Sequence, residues 1–223
     1  FTKKDRILLA VSGGIDSIVM AKLFSLTEYE FGIAHVNFGL RGEESQSDEL
    51  FVKKFAKTLK VPCYTIQFET KAFAEAEKIG IQQAARMLRY QWFEEIAQKE
   101  NYQKIATAHH RLDQAETVLF NLSRGTGIAG YHGIPIENGK IIRPMAFASQ
   151  EQIFDAVVQF KLAWREDSSN QSTKYARNFI RQEVMPKLME LNPSIDKTIA
   201  ENAKKIIDIE NWIEEEYATW SKE

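Results

Sequence analysis

Two groups of side chains in this 223-residue chain have the types and spacing to do chemistry. The first is Ser12-Gly13-Gly14-Ile15-Asp16-Ser17, where the apolar run LLAV breaks at two glycines and restarts with helical spacing. Adjacent glycines let backbone N–H groups approach a ligand without Cβ hindrance. A helix that starts just after them offers unpaired N–H groups at its positive dipole end. Such a turn favours an anion, most often a phosphate. The second group is His109, Asp113 and Glu116, four and three residues apart at a predicted helix start. With the helix beginning near 110, the two carboxylates share one face with His109 behind them. Carboxylates there either cap the helix and complement its dipole or are free to hold a cation or take a proton.

The elements that position these groups alternate. Residues 6–11, 31–37, 62–68, 104–108 and 141–145 read as short buried strands, and 15–27, 46–60, 80–100 and 112–124 as helices. Leu50, Phe51, Lys54, Phe55 and Leu59 mark one expected helix face. Near-continuous apolar strands between helices predict an α/β fold with a doubly wound, mainly parallel, five-stranded sheet. Ligands of such sheets bind beyond the carboxyl ends of the strands. The Ser12 turn, His35-Val36-Asn37 and Ala108-His109-His110 all fall at such ends, so the three are expected to line one crevice. His110 and His132 are read as structural.

Composition narrows the classes. Hydrophobic residues at 44% suffice for a core, and no apolar run reaches membrane-spanning length, which points to a cytoplasmic setting. The single cysteine, Cys63, excludes an internal disulfide and a four-cysteine zinc site. A net charge of −2 leaves any nucleic-acid partner to a local basic patch. Such a patch lies within 161–187, where Lys161, Arg165, Lys174, Arg177, Arg181 and Lys187 outnumber Glu166, Asp167 and Glu183. Tyr175 and Phe179 interleave with the arginines, as expected where phosphates and unstacked bases are held. A solvated helix face would give the same pattern. Residues 194–223 read as one amphipathic helix. The expected division is a catalytic domain over 1–192 and a helical extension over 193–223, read as a linker to a domain outside this chain. Composition leaves a homodimer open.

The glycine turn lacks the Gly-Lys-Ser/Thr close of a Walker loop and the third glycine of a dinucleotide fingerprint. It resembles instead the SGGxDS pyrophosphate loop of the N-type ATP pyrophosphatases, whose fold is the Rossmann-like adenine nucleotide alpha hydrolase type. That resemblance implies ATP cleaved between its α and β phosphates. Ser12, Ser17 and the amides of Gly13, Gly14 and Ile15 would hold pyrophosphate, and Asp16 would hold Mg2+ between phosphates. Thiolases that share this loop generally require paired cysteines, which lone Cys63 cannot supply.

HVNFGLRGEESQSD at 35–48 and IATAHHRLDQAETVLFNLSRGTGIAG at 105–130 resemble the corresponding segments of bacterial tRNA(Ile)-lysidine synthetases. AARMLRYQWF at 84–93, IIRP at 141–144 and DSSNQSTKYARNFIRQEVMPKL at 167–188 follow in the family's order. Phe38 departs from the family, which usually has histidine there. The resemblance implies an ATP-dependent ligase that acts on the wobble cytidine of a CAU-anticodon isoleucine tRNA, with free L-lysine as the amine. It further implies Asp113 beside Asp16 at Mg2+ or the amine, Glu116 on the ammonium group and His109 on the phosphates or the activated oxygen. Arg86 would stabilise charge during transfer, His35 would lie on the adenine side, and Lys174, Arg177 and Arg181 would contact tRNA. Two alternatives are an ammonia-dependent synthetase of the NAD type and a non-catalytic ATP sensor.

Overall fold

The computed structural model describes residues 2–166 and 176–220. Six strands form one sheet: β1 (Ile7–Ala10), β2 (Phe31–Asn37), β3 (Cys63–Gln67), β4 (Lys104–Ala106), β5 (Glu137–Asn138) and β6 (Ile141–Ile142). Their order is β3-β2-β1-β4-β6-β5, and every neighbouring pair is parallel except β5 with β6. The chain builds outward from β1 to β3, then returns to add β4 and β6 on the other side of β1. This reversal makes the sheet doubly wound and places its topological switch point between β1 and β4. The expected five strands are all present. The sixth, β5, was not expected, because its two exposed polar residues carry no apolar signal. Ile7, Leu8 and Leu9 are fully buried, as befits a central strand covered on both faces.

Helices α1 (Ile15–Phe24), α2 (Glu43–Leu59), α3 (Thr70–Ala76) and α4 (Ile81–Lys99) connect the first four strands. Trp92, Phe93 and Ala97 of α4 pack with Leu8, Ala34, Tyr102 and Ile105 in the core. On α2 the buried residues are Ser45, Asp48, Val52 and Ala56, and Leu50 is 57% exposed. The expected apolar face was therefore one position out at Leu50. Buried polar side chains at 45 and 48, tied to arginines, occupy part of the face that an apolar count looks for.

After β4 come α5 (Arg111–Ser123), a 3-10 turn (Ile128–His132), α6 (Gln150–Phe160), α7 (Ala176–Phe179), a π-helical turn (Ile180–Val184), α8 (Met185–Leu191) and α9 (Ile195–Trp220). The chain packs as two compact units. One holds the residues up to Ala108 with Glu137–Pro144 and Glu151–Glu166; the other holds His109–Ile136, Met145–Gln150 and the described part of Asp167–Glu223. In the second unit Leu112, Ala115, Ile180 and Met185 form the core, and Leu119, Ile195 and Ile199 pack on it. The boundary expected at 192 does not coincide with this division, because α9 packs on α5 within the second unit. Among the described residues no helix is long and apolar enough to cross a membrane.

Candidate functional site

In the first unit, β1 runs into the glycine turn and the turn into α1. Gly13 sits at φ +100°, a backbone that side-chain-bearing residues rarely adopt. A Cβ there would also meet Val52, Phe51 and Arg165 at 3.5–3.8 Å. Gly14 precedes α1 with an extended backbone and no side-chain cap. Both serines work inside the turn. Ser17 Oγ donates to the Gly14 carbonyl at 2.9 Å and accepts from the Gly13 N–H at 3.2 Å, and Ser12 Oγ accepts from the Gly14 N–H at 3.2 Å. The two amide contacts are at the long end of the hydrogen-bond range, so a phosphate oxygen can replace them at low cost. Ser12 is exposed, Ser17 is buried and Asp16 is half-buried in the first turn of α1.

The turn is braced by His35 and Arg165. His35 on β2, 4% exposed, has Nδ1 2.8 Å from the Val11 carbonyl, which fixes the residue just before Ser12. Burial pushes the His35 imidazole pKa below its usual value, although the Val11 contact acts the other way, and Nδ1 donates because a carbonyl can only accept. The structure thus places His35 beneath the loop. The Gly13 carbonyl accepts the Arg165 N–H at 2.9 Å. The Arg165 guanidinium reaches buried Asp48 Oδ1 at 3.0 Å, and Arg41 reaches Asp48 Oδ2 at 2.9 Å. Sequence reasoning missed Asp48 and Arg41 and took Arg165 only as part of a basic run. The available signal was the polar row Arg41, Ser45 and Asp48 at helical spacing ahead of an apolar helix face.

In the second unit, His110 caps α5. Its Nδ1 accepts the Leu112 N–H at 3.2 Å, and Asp113 Oδ2 accepts the His110 N–H at 2.9 Å, completing a reciprocal cap. One turn on, Glu116 is fully buried. Its Oε1 accepts Arg181 Nε at 2.5 Å, and its Oε2 accepts Arg181 Nη2 at 2.8 Å and Arg177 Nε at 3.3 Å. Asp113 Oδ1 lies 3.1 Å from Arg181 Nη2 and 3.4 Å from Arg177 Nη2. Burial alone would raise the Asp113 pKa, but His110, His109 and Arg177 outweigh it and hold the carboxyl below its usual range. Arg177 and Arg181, expected on an RNA-facing patch, are paired with the carboxylates in this structure and remain partly exposed. The π-helical turn that carries Arg181 aligns it with one face of α5. Lys174 and Tyr175 lie outside the described residues.

The other expected residues fall as follows. Gln114 Nε2 donates to the His132 carbonyl and Gln114 Oε1 accepts the Ile134 N–H, both at 2.6 Å, while Asn121 holds the Gly130 carbonyl at 2.8 Å. These bonds pin the segment that follows Arg124-Gly125-Thr126-Gly127. His132 Nε2 lies 2.9 Å from Glu210 Oε2 on α9, without hydrogen-bond alignment. Arg86 on α4 is exposed, with its guanidinium 4.9 Å from the Tyr90 ring centre.

The sequence matches the PP-loop domain family over residues 2–188. The chain belongs to that family. The Ser12–Ser17 turn lies within the matched residues, and we read it as the PP loop. Among curated relatives, the chain is 45% identical over 200 residues to a tRNA(Ile)-lysidine synthase of Parabacteroides distasonis, covering 90% of this chain and 46% of that protein. It is 40% identical over 211 residues to one of Petrotoga mobilis, covering 92% and 67%. The chain spans about half the length of the first of these relatives. A U34-tRNA thiolase of Methanococcus maripaludis shares the fold with a TM-score of 0.75 at 17% identity, covering 93% of this chain and 73% of that one. An NH3-dependent NAD synthetase of Campylobacter jejuni does so with a TM-score of 0.52 at 13% identity, covering 92% and 85%.

Proposed function

We propose that this PP-loop chain carries the catalytic part of an ATP-dependent ligase that converts the wobble cytidine of a CAU-anticodon isoleucine tRNA to lysidine, in a cytoplasmic setting. The observation that carries the reading is that the chain holds both an open phosphate turn and a built carboxylate pair. A sensor that only bound ATP would need the first and not the second. The tRNA(Ile)-lysidine synthase names of relatives at 37–45% identity supply the acceptor and the amine.

In the first step, cytidine O2 attacks the α-phosphorus of ATP, the bond to the bridging oxygen breaks, and pyrophosphate leaves. The amides of Gly13, Gly14 and Ile15 receive the phosphate oxygens, with Ser12 and Ser17 holding the turn open in shape. His35 and Arg165 keep that turn fixed before the nucleotide arrives, so little reorganisation is needed at the moment of reaction. Magnesium bound with ATP keeps most of its shell as phosphate and water and needs only one or two carboxylates. Asp16, half-buried at the start of α1 beside the turn, fits that demand. Among the described residues no group of three or more acidic, histidine or cysteine side chains forms a protein cage. Asp113, already bonded to the His110 amide and two arginines, suits this role less.

In the second step, the lysine ε-amine attacks C2 of the adenylated base, AMP leaves with the oxygen, and the amine loses a proton. Glu116 and Asp113 receive the ammonium group. Their oxygens are held by Arg181 and Arg177 in this structure, so the amine exchanges one cation for another at the same lone pairs. The test is pyrophosphate release from ATP with tRNA, with and without lysine, and with nicotinate adenine dinucleotide plus ammonia as a separate arm. Release that depends on tRNA supports the reading, whereas release with the dinucleotide and ammonia selects an amide-forming synthetase.

A further inference from the structure

With Arg177 and Arg181 paired with carboxylates, a different cluster of cations stands out in the first unit. Arg86 and Arg89 lie one turn apart on α4, and both are exposed. Arg89 has its guanidinium carbon 5.2 Å from the centre of the Phe38 ring, and Arg86 has its own 4.9 Å from that of Tyr90. Arg143, only 6% exposed, lies beside the Tyr90 side chain. Arg86 thus stands within electrostatic reach of two other arginines. Among the described residues neither Arg86 nor Arg89 makes an ion pair. Two exposed guanidinium groups one turn apart, each seated on an aromatic ring, repel one another and become favourable together once an anion joins them.

The position of the cluster is as informative as its charge. Phe38 directly follows β2, and Arg143 directly follows β6, so both stand at carboxyl ends of parallel strands. In the sheet order these strands flank β1 and β4, whose boundary is the switch point. The first turns of α4 therefore bring their arginines to the ligand edge of the sheet on either side of the PP loop. Phe38, where the family usually has histidine, supplies a flat apolar seat for the Arg89 guanidinium.

We infer that Arg86 and Arg89, ordered by Tyr90 and Phe38, form a contact for a single-stranded RNA segment, with the two guanidinium groups taking backbone phosphates and the outer face of Arg89 stacking an unpaired base. This rests on the RNA-modifying reading above and places the RNA contact on α4. RNA is favoured over the phosphates of ATP because Arg86 and Arg89 face solvent, and a guanidinium seated on one ring has its other face open to an unstacked base. Planar stacking plus charge is what arginine offers and lysine does not.

The experiment measures binding of a synthetic CAU anticodon stem-loop RNA across a salt series, and ATP binding in parallel. The proteins compared are the unaltered chain, Arg89→Ala, Arg89→Lys and Phe38→Leu. Arg89→Ala should weaken RNA binding about tenfold and make the salt slope shallower by about 0.7–0.9, the share of one phosphate contact. ATP affinity should stay within about twofold. Arg89→Lys and Phe38→Leu should retain the slope and still lose affinity, since charge is kept and the seated plane is lost; both also serve if the alanine variant folds poorly. Unchanged RNA affinity in all three variants overturns the inference and leaves the proposed function standing. Weakened ATP binding with unchanged RNA binding overturns it in favour of the nucleotide phosphates. If the unaltered chain binds no RNA at all, the inference falls together with the RNA-modifying reading on which it rests.

Discussion

The starts of α1 and α5 follow two neighbouring parallel strands and have opposite electrostatics. At α1 the chain places glycines, hydroxyls and no side-chain cap, so the positive end of the helix is left for a ligand's charge. At α5 the chain fills the same kind of position itself, with His110 as the cap, Asp113 closing the reciprocal bond and Glu116 buried one turn later. The first start is built to take anions. The second brings its own anions and must therefore attract cations, which in this structure are Arg177 and Arg181. Under the proposed function, the start of α1 receives the ATP polyphosphate and the start of α5 the ammonium group. The lesson is that topology supplies the position of a helix start, while the cap residues decide the charge it can bind.

The sharpest way to break the contrast is to strip α5 of its cations. Arg181→Ala leaves Glu116 buried with Arg177 as its remaining guanidinium. The chain should lose about 3 kcal/mol of stability, the low end for an unbalanced buried charge since Arg181 is itself partly exposed. Urea unfolding measures the loss, and the double variant Glu116→Gln/Arg181→Ala should recover most of it. Next comes α1. Asp16→Asn should unfold at the same denaturant concentration as the unaltered chain and release pyrophosphate on the order of 10²-fold more slowly. Unchanged release at saturating magnesium would remove Asp16 from the ATP site.

Glu116→Gln sharpens the comparison by dividing the two steps. Pyrophosphate release should fall only slightly while adenylated tRNA accumulates, trapped by quenching with label on the α-phosphate, and turnover should fall about tenfold. Equal blockage of both steps would assign Glu116 to the ATP end. The smallest effect belongs to the cap. His110→Ala should cost about 1 kcal/mol, the usual worth of a side-chain cap. Asp113 adds a pH signature. Its folded pKa is depressed below the ordinary 3.8, so its contribution is complete above that value and is lost as pH falls through the depressed one. Asp113→Asn should flatten the acid limb of a stability–pH curve and leave neutral pH behaviour otherwise similar in shape.

The sequence by itself determined the alternation of strands and helices, the glycine turn at the end of β1 and the shared face of Asp113 and Glu116. Each of these is a local matter of period, backbone freedom and spacing, and so it is written in contiguous residues. Family membership was legible for the same reason, as motifs in a fixed order. Only the tertiary structure decided the partners. Arg177 and Arg181 lie more than 60 residues from the carboxylates they hold, so along the chain they look like any basic run. Asp48 reads as a surface acid until Arg41 and Arg165 converge on it, and Arg165 reaches the PP loop across more than 150 residues. Arg86 and Arg89 read as an exposed helix face until Phe38, Tyr90 and Arg143 are seen around them. The physical reason is that an ion pair's meaning depends on burial and on the opposite charge, and both are properties of distance in space. Composition and periodicity carry the first kind of information and are silent on the second.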